Sequence, residues 1–202
     1  MRITQQLDDL RLEGRPVVLA VGSFDGVHLG HQRVIGLAVE MARKAGGEAW
    51  VLTLDPHPLK VLKPEAAPPL ITSTHHKVRL IEELGVDGCV VMPFTPEVAG
   101  EEPDRFLKRL KQTVPGLSGL VVGENWTFGH RGRGDVALLK KLAPGLGFEA
   151  TIVEPVLWKG AVISSTRIRQ AVAKGELEDA RETLGRPFSS LGTVGGGKRL
   201  GR

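Results

Sequence analysis

Two histidines stand three residues apart in the run VVLAVGSFDGVHLGHQRVI, residues 17–35, with Gly30 between them. An apolar, strand-like stretch ends at Val21, small and turn-forming residues follow, and His28 and His31 fall where a helical pattern over 32–45 begins. Unpaired backbone N–H groups and the helix dipole at such a start favour an anion. Gly30 keeps a side chain from standing between the backbone and that anion. Two imidazoles there can donate hydrogen bonds to phosphate oxygens as charge builds on them in a transition state. A single histidine at a helix start is most often solvated or structural; a pair flanking a glycine at a strand-to-helix junction fits that reading less well. Zinc is a rival ligand, but His-x-x-His supplies two donors and no cysteine pair completes the set. Gly22, Ser23 and Phe24 lead out of the strand beside the same anion position. Asp25 is either a carboxylate facing Mg²⁺ or an ordinary turn cap.

A second cluster lies in ISSTRIR, residues 163–169. Ser164 and Ser165 are natural N-caps, Thr166 falls in the first turn, and Arg167 and Arg169 add guanidinium donors. Alone, this is a capped helix with surface arginines. Paired with the histidine junction, it suggests a polyphosphate held between two helix starts. Neither a GxGxxG fingerprint nor a GxxxxGK[ST] phosphate loop is present, which argues against a dinucleotide fold of that type and against a P-loop kinase. No nucleophile is paired with a general base, so the substrates themselves must bring the reactive groups. Nucleotidyl transfer fits: a phosphate of one substrate attacks the α-phosphorus of a nucleoside triphosphate, pyrophosphate leaves, and the protein positions and stabilises charge. Softer candidates are Pro56, His57 and Pro58, a stiff loop that shapes a pocket or merely turns, and Asn125 with Trp126, which either border a ring or belong to core and lid. Arg131 and Arg133 sit in a glycine-rich loop that either closes over phosphate or is simply solvated. His75 and His76 read as surface or capping residues.

These residues must be held by the elements around them. Five continuous apolar segments, at 17–21, 50–54, 89–92, 120–123 and 150–153, predict strands covered on both faces. Helical spacing recurs at 32–45, 76–84, 103–111 and 135–142, and Gly46, Gly85 and Gly145 are expected stops. Two more helices are predicted at 166–174 and 177–184. Strict alternation of strand and helix predicts an α/β fold with an open parallel sheet, in which ligands bind outside the carboxyl ends of the strands. The strand exits read GSFDGVHLGH, DPHP, PFTPE, GENWTFGHRGRGD and EPVLWKGAVISSTRIR.

The 202 residues, 41% hydrophobic and 25% charged, suit one domain of ordinary size with a small appendage. Of the formal net charge of +4, Lys198, Arg199 and Arg202 supply three from the last five residues. The body is therefore nearly neutral and, with aromatics at only 4%, offers a poor surface for nucleic acid. Small-molecule partners are expected. Cys89 is alone within the apolar run CVVM and reads as a buried, inert thiol. No run approaches the roughly 20 apolar residues of a membrane span and the first residues lack the apolar core of a signal peptide, so a cytoplasmic protein without a membrane partner is expected. The oligomeric state leaves no mark in the sequence.

Taken together, GSFDGVHLGH, DPHP, GENWTFG, GDVALL and ISSTRIRQAVAKGELEDARETLGRPF resemble the adenylyltransferase domain of the bacterial bifunctional riboflavin kinase/FMN adenylyltransferases, the FAD synthetases. The resemblance covers residues 15–188 in unbroken order. It implies a Rossmann-like open parallel sheet of the HxGH nucleotidyltransferase type and the reaction of ATP with FMN to give FAD and pyrophosphate, with Mg²⁺. It also implies that His28 and His31 contact ATP phosphates, and that Ser164, Ser165, Thr166 and Arg167 meet the triphosphate from the other side. Asp25 is implied near the metal-phosphate region, and Asn125 and the 55–58 loop near the flavin nucleotide. Ser23 departs from the family's usual Asn, Asn125 from Asp and Trp126 from Phe; these changes bear on metal affinity and flavin fit. On this reading residues 1–186 form the adenylyltransferase domain. Residues 187–202 are either a tail or the start of a riboflavin kinase domain, since GTVGGGKRLGR resembles the opening of one. Riboflavin phosphorylation is then expected only of a longer parent chain.

Overall fold

In the computed structural model, which describes residues 1–10 and 14–192, six parallel strands form one sheet. They are β1 (Arg2–Thr4), β2 (Val17–Val21), β3 (Glu48–Asp55), β4 (Gly88–Pro93), β5 (Leu117–Gly123) and β6 (Glu149–Val153), in the order β1-β4-β3-β2-β5-β6. The crossovers carry α1 (Leu29–Lys44), α2 (Pro58–Leu62), α3 (Thr74–Glu82), α4 (Pro96–Ala99), α5 (Pro103–Thr113) and α6 (Val136–Leu146). After β6 come a small antiparallel hairpin, β7 (Leu157–Trp158) and β8 (Ala161–Val162), and two helices, α7 (Ser165–Lys174) and α8 (Leu177–Leu184). The α/β class and the open parallel sheet are as expected from the sequence.

Strand β2 is buried at all five positions because it lies in mid-sheet with helices on both faces. Val17, Leu19 and Val21 join Phe106, Leu107, Leu110 and Leu139 in one core. Val18 and Ala20, pointing the other way, join Val34, Ile35, Ala38, Val78 and Ile81 in the second. A third, smaller core of Ile71, Ile163, Ile168, Ala171, Ala180 and Leu184 attaches α7 and α8 to the sheet, with Leu29 and Phe188 packed against it.

Three local expectations change. Helix α1 begins at Leu29 rather than at residue 32, because His28 caps it. Gly145 lies inside α6, and the left-handed residue that ends that helix is Gly147, at φ 74°. Strand β1 adds an edge strand that three residues are too few to announce as a pattern. The sequence features read at Lys198, Arg199 and Arg202 lie outside the described residues.

Candidate active site

The chain steps outward from β2 to β3 and β4, then returns to place β5 on the other side of β2, so strand order reverses between β2 and β5. A crevice opens there at the carboxyl ends. Its floor is the turn that leaves β2. Within it, two non-glycine residues hold left-handed backbone, Phe24 at φ 48° and Val27 at φ 41°. For a β-branched residue this is strained, at a cost on the order of 1–3 kcal/mol, and it persists only where neighbours over-determine it.

Those neighbours come from α1, from Thr72, from α7 and from the segment after α8. The Arg186 guanidinium donates to Gly26 O at 2.7 Å and to Val27 O at 3.2 Å, and Gln32 Nε2 donates to Val27 O at 2.9 Å. Gly26 N donates to Thr72 Oγ1 at 3.1 Å, and Ser165 Oγ donates to Asp25 O at 2.9 Å. The Asp25 carboxylate is turned inward. It accepts from Ile71 N, Thr72 N and Thr72 Oγ1 and pairs with Arg169 Nη2 at 2.7 Å, at side-chain exposures of 5% and 15%. Both Asp25 oxygens tie the turn to α7 and to the 71–72 segment.

His28 and His31 stack face to face, ring centroids 3.5 Å apart, with Phe24 edge-on to His31. His28 Nδ1 accepts the His31 backbone N–H as the N-cap of α1. That bond places the His28 proton on Nε2, which is thereby a donor. A Cβ at Gly30 would come within 3.1 Å of the His28 ring, so any side chain there makes the ring give by a few tenths of an ångström. Burial lowers the His28 pKa to about 4 against a partial opposing effect of Asp25, and burial, reinforced by His28 and Lys77, holds His31 well below the ordinary histidine range. Both rings are neutral near pH 7. His31 Nδ1 is buried without a hydrogen-bond partner, an orphan that an incoming ligand can satisfy.

Two clefts adjoin at this point. The first, lined by Gly22, Phe24, His28, Gly30, His31, Asn125 and Trp126 among others, carries the imidazoles and measures about 700 Å³ including its open mouth. The second, about 870 Å³, is lined by Ser23, Leu52, Pro58, Met92, Phe106 and Phe128 among others and is mostly apolar. Val21, Gly22 and Trp126 line both, and the Trp126 ring stacks on Phe128 at 4.4 Å. Pro56 and His57 line neither; His57 caps α2 through Leu59 N. Ser164 caps α7, Thr166 is exposed, and Ile163 is the residue of that motif that reaches the imidazole cleft. Arg167 is elsewhere: its guanidinium donates to Trp158 O and Ala161 O and lies over the Trp158 ring. Arg167, expected at the triphosphate, thus rests on the β7–β8 hairpin here, and Arg169 is the arginine of the motif that bonds to the turn after β2. Sequence reasoning assigns no role to Thr72, Gln32 or Arg186, although Arg186 stands in the LGRPF run; their bonds to the turn are seen only in the fold.

The chain's similarities agree with this geometry. A model of the family described as FAD synthetase matches residues 11–167. Proteins described as bifunctional riboflavin kinase/FMN adenylyltransferase are similar. The one from Listeria monocytogenes is 39% identical over 186 residues, 92% of this chain and 59% of that protein. The one from Bacillus subtilis is 36% identical over 207 residues, 100% of this chain and 64% of that protein. This chain spans 59–65% of the length of the curated relatives it matches. A solved structure described as a macrolide-efflux protein, from Streptococcus pneumoniae, superposes with a TM-score of 0.77 at 27% identity, over 92% of this chain and 60% of that one. Efflux is said of the pneumococcal protein alone; among the described residues here, no helix is long and apolar enough to cross a membrane.

Proposed function

The chain belongs to the FAD synthetase family, and on that premise we propose that it transfers AMP from ATP to FMN, giving FAD and pyrophosphate. The observation that carries the reading is the pair of clefts meeting at Gly22 and Trp126, one bearing two neutral imidazoles and the other apolar and aromatic. ATP occupies the first and the flavin ring the second, so that the two phosphates meet at the shared wall. An FMN phosphate oxygen forms a bond to the ATP α-phosphorus as the bond to the bridging oxygen breaks, and pyrophosphate carries away the electron pair. The protein's part is orientation and charge stabilisation. His28 Nε2–H and the His31 ring donate to phosphate oxygens as their charge rises, and the N-terminus of α1 adds unpaired N–H groups. Gly22, Phe24 and Gly30 let the triphosphate lie close to the backbone. Ser165 and the start of α7 hold the turn on which both histidines stand.

Mg²⁺ enters with ATP as the counter-ion of its phosphates. Among the described residues no group of three His, Cys, Asp or Glu is arranged to hold a metal, and the Asp25 carboxylate is engaged, so no step is assigned to a resident ion. The substrates are small molecules and the reaction belongs in the cytoplasm, where ATP is supplied; neither nucleic acid nor membrane takes part.

The test is product analysis of the purified chain with ATP and Mg²⁺ against FMN, riboflavin and phosphorylated acceptors such as pantetheine phosphate and nicotinate mononucleotide. FAD and pyrophosphate in equal amounts from FMN, and no adenylylated product from the other acceptors, is the expected outcome. ATP binding without flavin-dependent pyrophosphate release refutes it.

A further inference from the structure

Lys77 lies on α3 and is only 6% exposed. Its Nζ donates to Thr53 Oγ1 at 2.9 Å, to Ser23 O at 3.1 Å and to Leu54 O at 3.3 Å. Thr53 Oγ1 in turn donates to Ser23 O at 3.0 Å. One ammonium group thus fastens the exit of β2 to the exit of β3. Ser23 and Leu54 line the apolar cleft, and Ser23 follows Gly22, which lines both clefts. No ion pair among the described residues involves Lys77; its three bonds go to neutral oxygens, while Asp55 and Asp25 act on its charge from farther off, against the effect of burial.

An ammonium buried with no carboxylate in direct contact is costly to desolvate, and an apolar residue of similar length would serve the fold as well or better. The arrangement makes sense only if the charge and its three bonds serve something other than stability. Both substrates of the proposed reaction bring phosphate to the Gly22–Ser23 wall, and Lys77 stands directly behind it. We propose that Lys77 is a positioning residue for nucleotidyl transfer. It sets the Ser23 carbonyl, and with it the wall where the two phosphates meet, and supplies a fixed positive charge behind that wall. The inference rests on the proposed reaction.

The test compares Lys77→Met, Thr53→Val and the double variant with the unchanged chain and with Lys108→Met, which removes an exposed lysine paired with Asp104. Misplacement of reacting groups by an ångström costs up to about 100-fold, so Lys77→Met is expected to lower kcat by roughly 10- to 100-fold while KM for ATP moves far less and Tm does not fall. Because Lys77 and Thr53 act on one carbonyl, the double variant should lose no more than Lys77→Met alone. Lys108→Met should match the unchanged chain. A lower Tm with kcat per folded molecule unchanged, or losses that multiply in the double variant, overturns the proposal. Should Lys77→Met fail to fold, Thr53→Val against Thr53→Ser decides, since only the valine removes the bridging hydroxyl. Hydrogen exchange gives a readout independent of turnover: the Gly22 amide, which donates to Leu52 O, should exchange faster in Lys77→Met. Unchanged exchange there overturns the positioning role. Absence of FAD from the unchanged chain overturns the reaction instead, and exchange then still judges Lys77.

Discussion

Replacing Asp25 by asparagine separates a structural clamp from a metal ligand. Its Oδ1 accepts from Ile71 N at 3.0 Å, Thr72 N at 3.0 Å and Thr72 Oγ1 at 3.2 Å, while Oδ2 accepts from Arg169 at 2.7 Å and Ile71 N at 3.1 Å. In Asp25→Asn the amide oxygen can serve the first three donors, but its NH₂ then faces the guanidinium and an amide N–H, donor against donor. Arg169 stays buried and loses its counter-charge. Breaking a buried pair on one side costs about 3–5 kcal/mol, and in a chain of this size each kcal/mol is worth about 2–4 °C, so Tm should fall by roughly 6–20 °C. Urea unfolding followed by circular dichroism measures the loss directly. Arg169→Met should cost less, because the carboxylate keeps its N–H donors, and Asp25→Asn combined with Arg169→Met should show a coupling of about 1–3 kcal/mol. If Asp25→Asn instead kept its stability within about 1 kcal/mol while activity demanded far more Mg²⁺, the carboxylate would face metal and the clamp would be refuted.

Acid should destabilise the protein through His31, whose pKa burial lowers, and likewise through His28. Its pKa, about 4 when folded against 6.5 otherwise, means that the unfolded chain binds the proton more readily. Stability from this ring is therefore complete above about pH 7 and falls by roughly 3 kcal/mol as pH drops from 6.5 towards 4. Urea midpoints across that range should flatten in His28→Asn, which keeps a capping acceptor for His31 N; equal slopes would contradict the assignment. His31→Ala should lower kcat by about 100-fold or more while KM for ATP rises much less, since the ring acts on charge that develops in the transition state. An unchanged rate removes it from the mechanism. The Cys89 thiol, pushed up to about 12 by burial, should stay unlabelled by a disulfide reagent at pH 8 and react once per chain in strong denaturant.

The sheet was legible because central strands of a parallel sheet are apolar at consecutive positions, as in Val17–Val21, a pattern few other arrangements impose. The histidine junction was equally open to reading, since the cap, the glycine and both rings lie within four residues of one another. Arg167 and Arg169 show where one-dimensional reasoning stops. Both sit on α7 two residues apart, so they face different directions, and only the packing of α7 on the 69–72 segment decides which one reaches Asp25. Asp25 itself could be a ligand or a clamp until Thr72 and Arg169 are seen around it. Nothing in the sequence marks Lys77 as buried; its burial depends on the exits of two strands that precede it by more than 20 residues.

The bonds from Arg169 and Arg186 to the turn after β2 span 144 and 160 residues. The segment that bears the imidazoles and the residues that lock it are thus far apart in sequence. The shape of that turn is therefore set only when the whole span between them has folded together, and not by the turn's own residues.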